Sequence, residues 1–218
     1  MIVQIYEVSC REDLEACLAA GVDHIGVLVG KGGFPRELNP GEASALLKGL
    51  PDGVKGCALS LSADAAEIAA VAETEPDILH LGAAPEKLSL TAVHALRRRF
   101  PDLPVMRSIP VTGPESLDLA KSYEGAADFL LLDSHDPGDA QIGALGKTHD
   151  WSVSRRIVDG VSIPCILAGG LGPDNVAAAI NAVSPAGVDS KTRTDRGASH
   201  RKDASLVRTF VQNARSSV

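Results

Sequence analysis

The chain has 218 residues, 44% hydrophobic and 22% charged, with a formal net charge of −7. This suits one ordinary globular domain and excludes a disordered chain, and the acidic balance argues against nucleic acid, whose binding calls for a basic surface. No apolar run approaches the ~20 residues of a membrane span, so no membrane partner is expected. The strand-like start, Met1 to Tyr6, carries no signal-peptide pattern, and a cytoplasmic location is expected. Cys10, Cys17, Cys57 and Cys165 show no C-x-x-C spacing and read as reduced thiols, neither a disulfide framework nor a zinc site.

In chain order, short apolar runs alternate with helical periodicity. Ile2 to Tyr6 reads as a strand and Glu12 to Ala20 as a helix closed by Gly21. His24 to Val29 is a strand, followed by a glycine-rich loop, Gly30 to Asn39. Pro40 then starts a helix that runs to Leu47. Strands at Val54–Leu61, Ile78–Leu81, Val105–Ile109 and Phe129–Leu132 are followed by helices at Asp64–Ala72, Leu88–Arg99, Pro114–Ser122 and Trp151–Val158. A long loop, Asp133 to Asp150, precedes the last of these. Ile163–Ala168 with a helix through Val176, Ala179, Ile180 and Val183, then Pro185–Asp189 with Ala204–Ala214, complete eight strand–helix pairs without a domain break. The whole chain, 1–218, therefore reads as one α/β domain, a (β/α)8 TIM barrel, with an open doubly wound sheet as the alternative. Strands this short and uniformly apolar are buried on both faces.

The stretch Cys165-Ile-Leu-Ala-Gly-Gly-Leu-Gly-Pro-Asp-Asn175 organises the reading. A Gly169-Gly170 step at a strand end, with Asp174 as helix N-cap, lets backbone amides approach an anion beside a helix N-terminus. It is a candidate phosphate cradle; a plain tight turn is the other reading. By the barrel rule, Tyr6, Arg36, His80, Arg107, Asp133, Gly169, Gly170 and Asp189 fall at or just beyond strand C-terminal ends, where barrel chemistry lies.

Leu130-Leu-Leu-Asp133-Ser134, Gly146-Lys-Thr-His-Asp-Trp151, the glycine stretch and Gly187-Val-Asp189 occur in that order. Together they resemble phosphoribosylanthranilate isomerase, whose family carries LLLDS, GKTFDW, LAGGLNPENV and GVDVSSGVE. The resemblance implies an Amadori rearrangement of a phosphorylated ribosylamine, with an acid near the ring oxygen and a base near C2. It implies Asp133 as the acid and Arg36 as the arginine associated with the anthranilate carboxylate. It implies no cofactor, and a small phosphorylated or anionic metabolite as partner; the chain is expected to be a monomer or homodimer.

Against the family's K-I-C-G-I-T stands Gln4-Ile5-Tyr6-Glu7-Val8-Ser9, so Tyr6 occupies the place of the catalytic thiol. A phenol with a pKa near ~10 is a poor base unless strongly perturbed, which makes efficient turnover of phosphoribosylanthranilate doubtful. Glu7 and Cys10 are the substitute candidates, although strand alternation points Glu7 away from Tyr6, and Cys10 also reads as a small loop residue. The family's Q-L-H-G becomes His80-Leu81-Gly82, and its Ser-Ser-Gly nest becomes Lys191-Thr192-Arg193, where charge can bind an anion or simply face solvent. His149 replaces a phenylalanine. Substrate-binding candidates are therefore Arg36, His80, Arg107, Gly169, Gly170, Asp189, Lys191 and Thr192. Three readings stand: an isomerase of a related phosphorylated sugar derivative, a metal-dependent epimerase using His80, Asp133, His135 and Asp189, and a non-catalytic descendant that binds a phosphometabolite. No metal is expected, since no tight ligand spacing supports one.

Overall fold

A computed structural model describes residues 1–135 and 147–217; Gly146 of the motif above lies outside them. The described residues form eight strands: β1 (Ile2–Ile5), β2 (His24–Leu28), β3 (Lys55–Ser60), β4 (Ile78–Leu81), β5 (Val105–Pro110), β6 (Phe129–Asp133), β7 (Cys165–Leu167) and β8 (Gly187–Ser190). They pair in parallel in sequence order, and β8 pairs with β1, so the sheet closes. The helices are α1 (Arg11–Ala20), α2 (Pro40–Leu47), α3 (Ala65–Ala72), α4 (Leu90–Arg99), α5 (Ser116–Ser122), α6 (Trp151–Gly160), α7 (Val176–Val183) and α8 (Ala204–Arg215). This is the (β/α)8 barrel, not the open sheet.

Local chemistry sets the helix starts. Asn39 and Glu42 form a reciprocal capping box with Pro40 at the first turn. Asp64, Ser89, Asp150 and Asp203 each accept amides of their following helix. At α7 the N-cap is Asn175, not Asp174. Asn175 Oδ1 accepts from Gly172 N at 2.8 Å, while Asp174 is drawn away to Arg193.

Strand alternation divides the core. Ile5, Ile25, Leu79, Leu81, Ile109, Leu130 and Leu132 face the helices. Cys57, Ile78, Met106, Leu131, Ile166 and Ala168 fill the barrel beneath Tyr6. The aromatic ring of Tyr6 lies over Gly26 of β2, where any Cβ would fall on the ring. Gly26→Ala is therefore expected to cost about 1–3 kcal/mol through overpacking, read as a lowered Tm.

Candidate active site

The alternation that fills the barrel also aims the polar groups. In β6, Leu131 and Asp133 share the inner face; in β5, Met106 and Ser108 do. Leu131, Asp133 and Ser108 reach a cavity of about 270 Å³ at the C-terminal mouth, lined also by Tyr6, Glu7, His80, Asp189, Lys191 and His200. Its apolar wall is Leu28, Phe34, Pro35, Leu59 and Leu61. A recess of about 30 Å³ continues from it past Asp133, Gly169, Gly170, Asp189, Lys191, Thr192 and Arg193. The structure thus gathers nine of the candidate residues.

Asp133 accepts from the amide of Ser134 at 2.7 Å and from its hydroxyl at 3.3 Å. Burial outweighs those two bonds and raises its pKa to about 7. Asp189 is raised to about 8, first by burial and then by the Asp133 carboxyl, against a 3.3 Å hydrogen bond from Gln4 Nε2. Gln4 is itself oriented from below, its Oε1 lying 3.1 Å from His24 Nδ1. Two carboxyls that hold protons close to neutrality therefore face one pocket.

Tyr6 is poorly suited to ionise to a phenolate. Burial, with Cys57 and Asp189 nearby, pushes its phenol well above the ordinary value. Its hydroxyl lies 2.6 Å from His80 Nδ1, and His80 Nε2 lies 2.7 Å from Ser108 Oγ. Burial, then Arg107, lowers His80 to about 3 and leaves the imidazole neutral.

Glu7 adopts φ 57°, the left-handed region that suits the glycine of the family motif and costs a glutamate about 1–2 kcal/mol. That turn undoes the expected alternation and brings Glu7 into the pocket beside Tyr6. Its carboxylate pairs with Lys191 at 3.1 Å, and both side chains are largely buried, 12% and 19% exposed. Lys202, fully buried, holds the loop from beneath by donating to Lys191 O and to Asp195.

Three candidates sit elsewhere. Arg107 lies on the outer face of β5 between Met106 and Ser108, donates to Leu81 O at 2.7 Å and stacks on Tyr123. The one-residue parity of the strand excludes it from the pocket. Arg107→Met is accordingly expected to leave ligand binding within about twofold, measured by titration with any ligand of the mouth. Arg36 is bonded to Asp13 at 2.5 Å, and Asp13 also takes Arg201 at 2.9 Å. Against the upward push of burial, Arg201 and Arg36 hold the Asp13 carboxyl below its usual range. Arg36 thus fastens the β2–α2 loop to α1 and does not line the mouth. Cys10 occupies the N-cap position of α1 and does not line it either.

The glycine turn leaves two amides open. Gly169 and Gly170 have φ 82° and 58°, and the amides of Gly170 and Leu171 have no acceptor among the described residues. A Cβ at Gly169 would stand 2.9 Å from His149 Nδ1 and 3.2 Å from Asp133 Oδ1. Gly169→Ala is expected to destabilise the fold by about 1–3 kcal/mol and to displace the Asp133 carboxyl, seen as a lower Tm. Arg193, at the edge of the recess, pairs with Asp174 at 2.6 Å.

Sequence reasoning missed Ser108 and the approach of His149 to the Gly169 turn. Inner-face parity with Met106 is the signal that finds Ser108. Among the described residues no group of three or more His, Cys, Asp and Glu is arranged to hold a metal ion, and His80 has both nitrogens engaged. No helix of the described residues is long and apolar enough to cross a membrane.

This is a (β/α)8 barrel with its titratable groups gathered at the C-terminal mouth, the end where such barrels carry their sites. Residues 55–213 match the family model for N-(5'-phosphoribosyl)anthranilate isomerase. The chain is 34% identical over 215 residues to the N-(5'-phosphoribosyl)anthranilate isomerase of Methanocella arvoryzae, covering 98% of this chain and 97% of that one. The chain belongs to the phosphoribosylanthranilate isomerase family. The solved TrpF of Jonesia denitrificans superposes with a TM-score of 0.80 at 28% identity, covering 100% and 98% of the two chains. A phosphoribosyl anthranilate isomerase solved with reduced 1-(o-carboxyphenylamino)-1-deoxyribulose 5-phosphate has the same fold, with a TM-score of 0.79 at 23% identity, covering 99% and 100%.

Proposed function

We propose that this chain catalyses an Amadori-type aldose–ketose isomerisation of a small phosphorylated sugar derivative, with Asp133 as general acid and Glu7 as general base. The observation that carries the reading is Asp133, an inward carboxyl at the pocket with a pKa raised to about 7. A general acid works best when it holds its proton near the working pH and its conjugate base survives the transfer. In the ring-opening step Asp133 gives its proton to the ring oxygen and the C1–O bond breaks. Glu7 then takes the C2 proton and returns it to C1. The high pKa of Tyr6 leaves Glu7, an anion balanced by Lys191, as the better placed acceptor.

The phosphate is assigned to the recess, where the Gly170 and Leu171 amides and the Lys191–Thr192 segment face each other. With Arg36 fastened to Asp13, the sugar's N-substituent is assigned to the apolar wall formed by Phe34, Pro35 and Leu61. No cofactor enters this scheme. The replacement of the family thiol by Tyr6 is what favours the second reading, a descendant that binds a phosphometabolite without turning it over.

The test is to assay the purified chain, free of host isomerase, with N-(5'-phosphoribosyl)anthranilate. Binding of the reduced 5-phosphate analogue, bound in the relative of the same fold, is titrated in parallel. Binding with turnover supports the isomerase, binding alone supports the second reading, and failure of both contradicts each.

A further inference from the structure

The acid–base scheme leaves one polar chain of the pocket unused. Tyr6, His80 and Ser108 reach the same cavity from β1, β4 and β5, linked at 2.6 and 2.7 Å. Two of them depart from the family motifs: Tyr6 stands for a cysteine and His80 for a glutamine.

A neutral imidazole has one donor and one acceptor nitrogen, and both of its neighbours here are hydroxyls, which donate or accept by rotating. The chain is therefore satisfied in two states. In one, Tyr6 donates to Nδ1 and Nε2–H donates to Ser108. In the other, Ser108 donates to Nε2 and Nδ1–H donates to Tyr6, whose own hydrogen is then free to meet a ligand. Passing from the first state to the second takes up a proton at the Tyr6 end and releases one at the Ser108 end. His80, kept neutral by burial and Arg107, suits such a switch.

We propose that the Tyr6–His80–Ser108 chain carries away the proton of the substrate's C2 hydroxyl as that oxygen becomes the product carbonyl, with Tyr6 as the catalytic residue and His80 and Ser108 as positioning residues. This rests on the isomerase reading, which places the C2 carbon at the position Tyr6 occupies. The protons balance. Asp133 loses one to the ring oxygen, and Glu7 moves one from C2 to C1. The O2–H bond breaks toward Tyr6 Oη, the Tyr6 proton moves to Nδ1, and the Nε2 proton moves to Ser108. The Ser108 proton restores the Asp133 carboxyl on the same pocket. No electrons enter or leave, and the chain returns from its second state to its first when solvent at the open mouth takes the Tyr6 proton and supplies one to Ser108.

The experiment compares the parent, Tyr6→Phe and His80→Gln for turnover of N-(5'-phosphoribosyl)anthranilate and for binding of the reduced analogue, with Tm as a folding control. Glutamine offers an acceptor to Tyr6 and a donor to Ser108, so it keeps both hydrogen bonds, but an amide does not exchange tautomers as an imidazole does. His80→Gln is expected to bind the analogue within about twofold of the parent while kcat falls about tenfold or more at unchanged KM. Tyr6→Phe is expected to lose at least as much in kcat. A His80→Gln enzyme with parental kcat overturns the relay and leaves the isomerase intact. A parent without turnover overturns the isomerase reading, and the relay with it.

Discussion

Asp133→Asn is expected to lower kcat by about 10³–10⁴ and to abolish the alkaline limb of the pH profile. The acid acts in its protonated form, so parental activity falls as pH rises through about 7, the value to which burial raises the group. Asparagine keeps the shape and the acceptor for Ser134 but has no proton to give. The same shift carries a stability signature of opposite sign to the usual carboxylate. The folded protein holds this proton more tightly than the unfolded chain, whose value is near ~3.9. The contribution to stability is therefore full below about pH 4 and is lost as pH rises through about 7. Asp133→Asn escapes that loss and is expected to be more stable than the parent at pH 8, by on the order of 4 kcal/mol, and not at pH 4. Activity and Tm at the two pH values check both halves, and a variant with parental turnover removes Asp133 from the chemistry.

Glu7→Gln is the second large effect, a loss of about 10²–10⁴ in kcat with little change in fold. Glu7 holds a left-handed backbone that any glycine would hold at lower cost, and it spends that strain on placing a carboxylate in the pocket. Glutamine preserves the size and the backbone but cannot accept the C2 proton. Lys191→Met is expected to weaken turnover less, because it removes the counter-charge and leaves the base in place. If Glu7→Gln keeps parental kcat, the base lies elsewhere, and Asp189 becomes the next residue to replace.

Much of this was legible in the sequence, for physical reasons that also mark where legibility ends. Eight apolar runs bounded by caps and glycines specify the barrel because burial on both faces leaves little freedom. Asp133 could be placed because it follows a strand whose end the Leu-Leu-Leu run defines. Arg107 could not, since a single residue of register decides whether it meets ligand or helix, and nothing local fixes that parity. Arg36 was misplaced for another reason. Its partner, Asp13, sits 23 positions earlier, and the third member, Arg201, lies near the other end of the chain. Alternation predicted Glu7 facing away from Tyr6, and the left-handed turn at Glu7 itself reversed that. Tyr6 stands out in the sequence as a departure from the family motif. Its bond to His80, across the barrel from β1 to β4, depends on closure and on the space above Gly26.

The most direct measurement is a single assay, conversion of N-(5'-phosphoribosyl)anthranilate by the purified chain with Asp133→Asn beside it. The account predicts turnover by the parent that declines above about pH 7 and is reduced about 10³-fold or more in the variant. A parent that binds the reduced 5-phosphate analogue yet converts no substrate at any pH contradicts it, and makes the chain a binding protein on an isomerase frame.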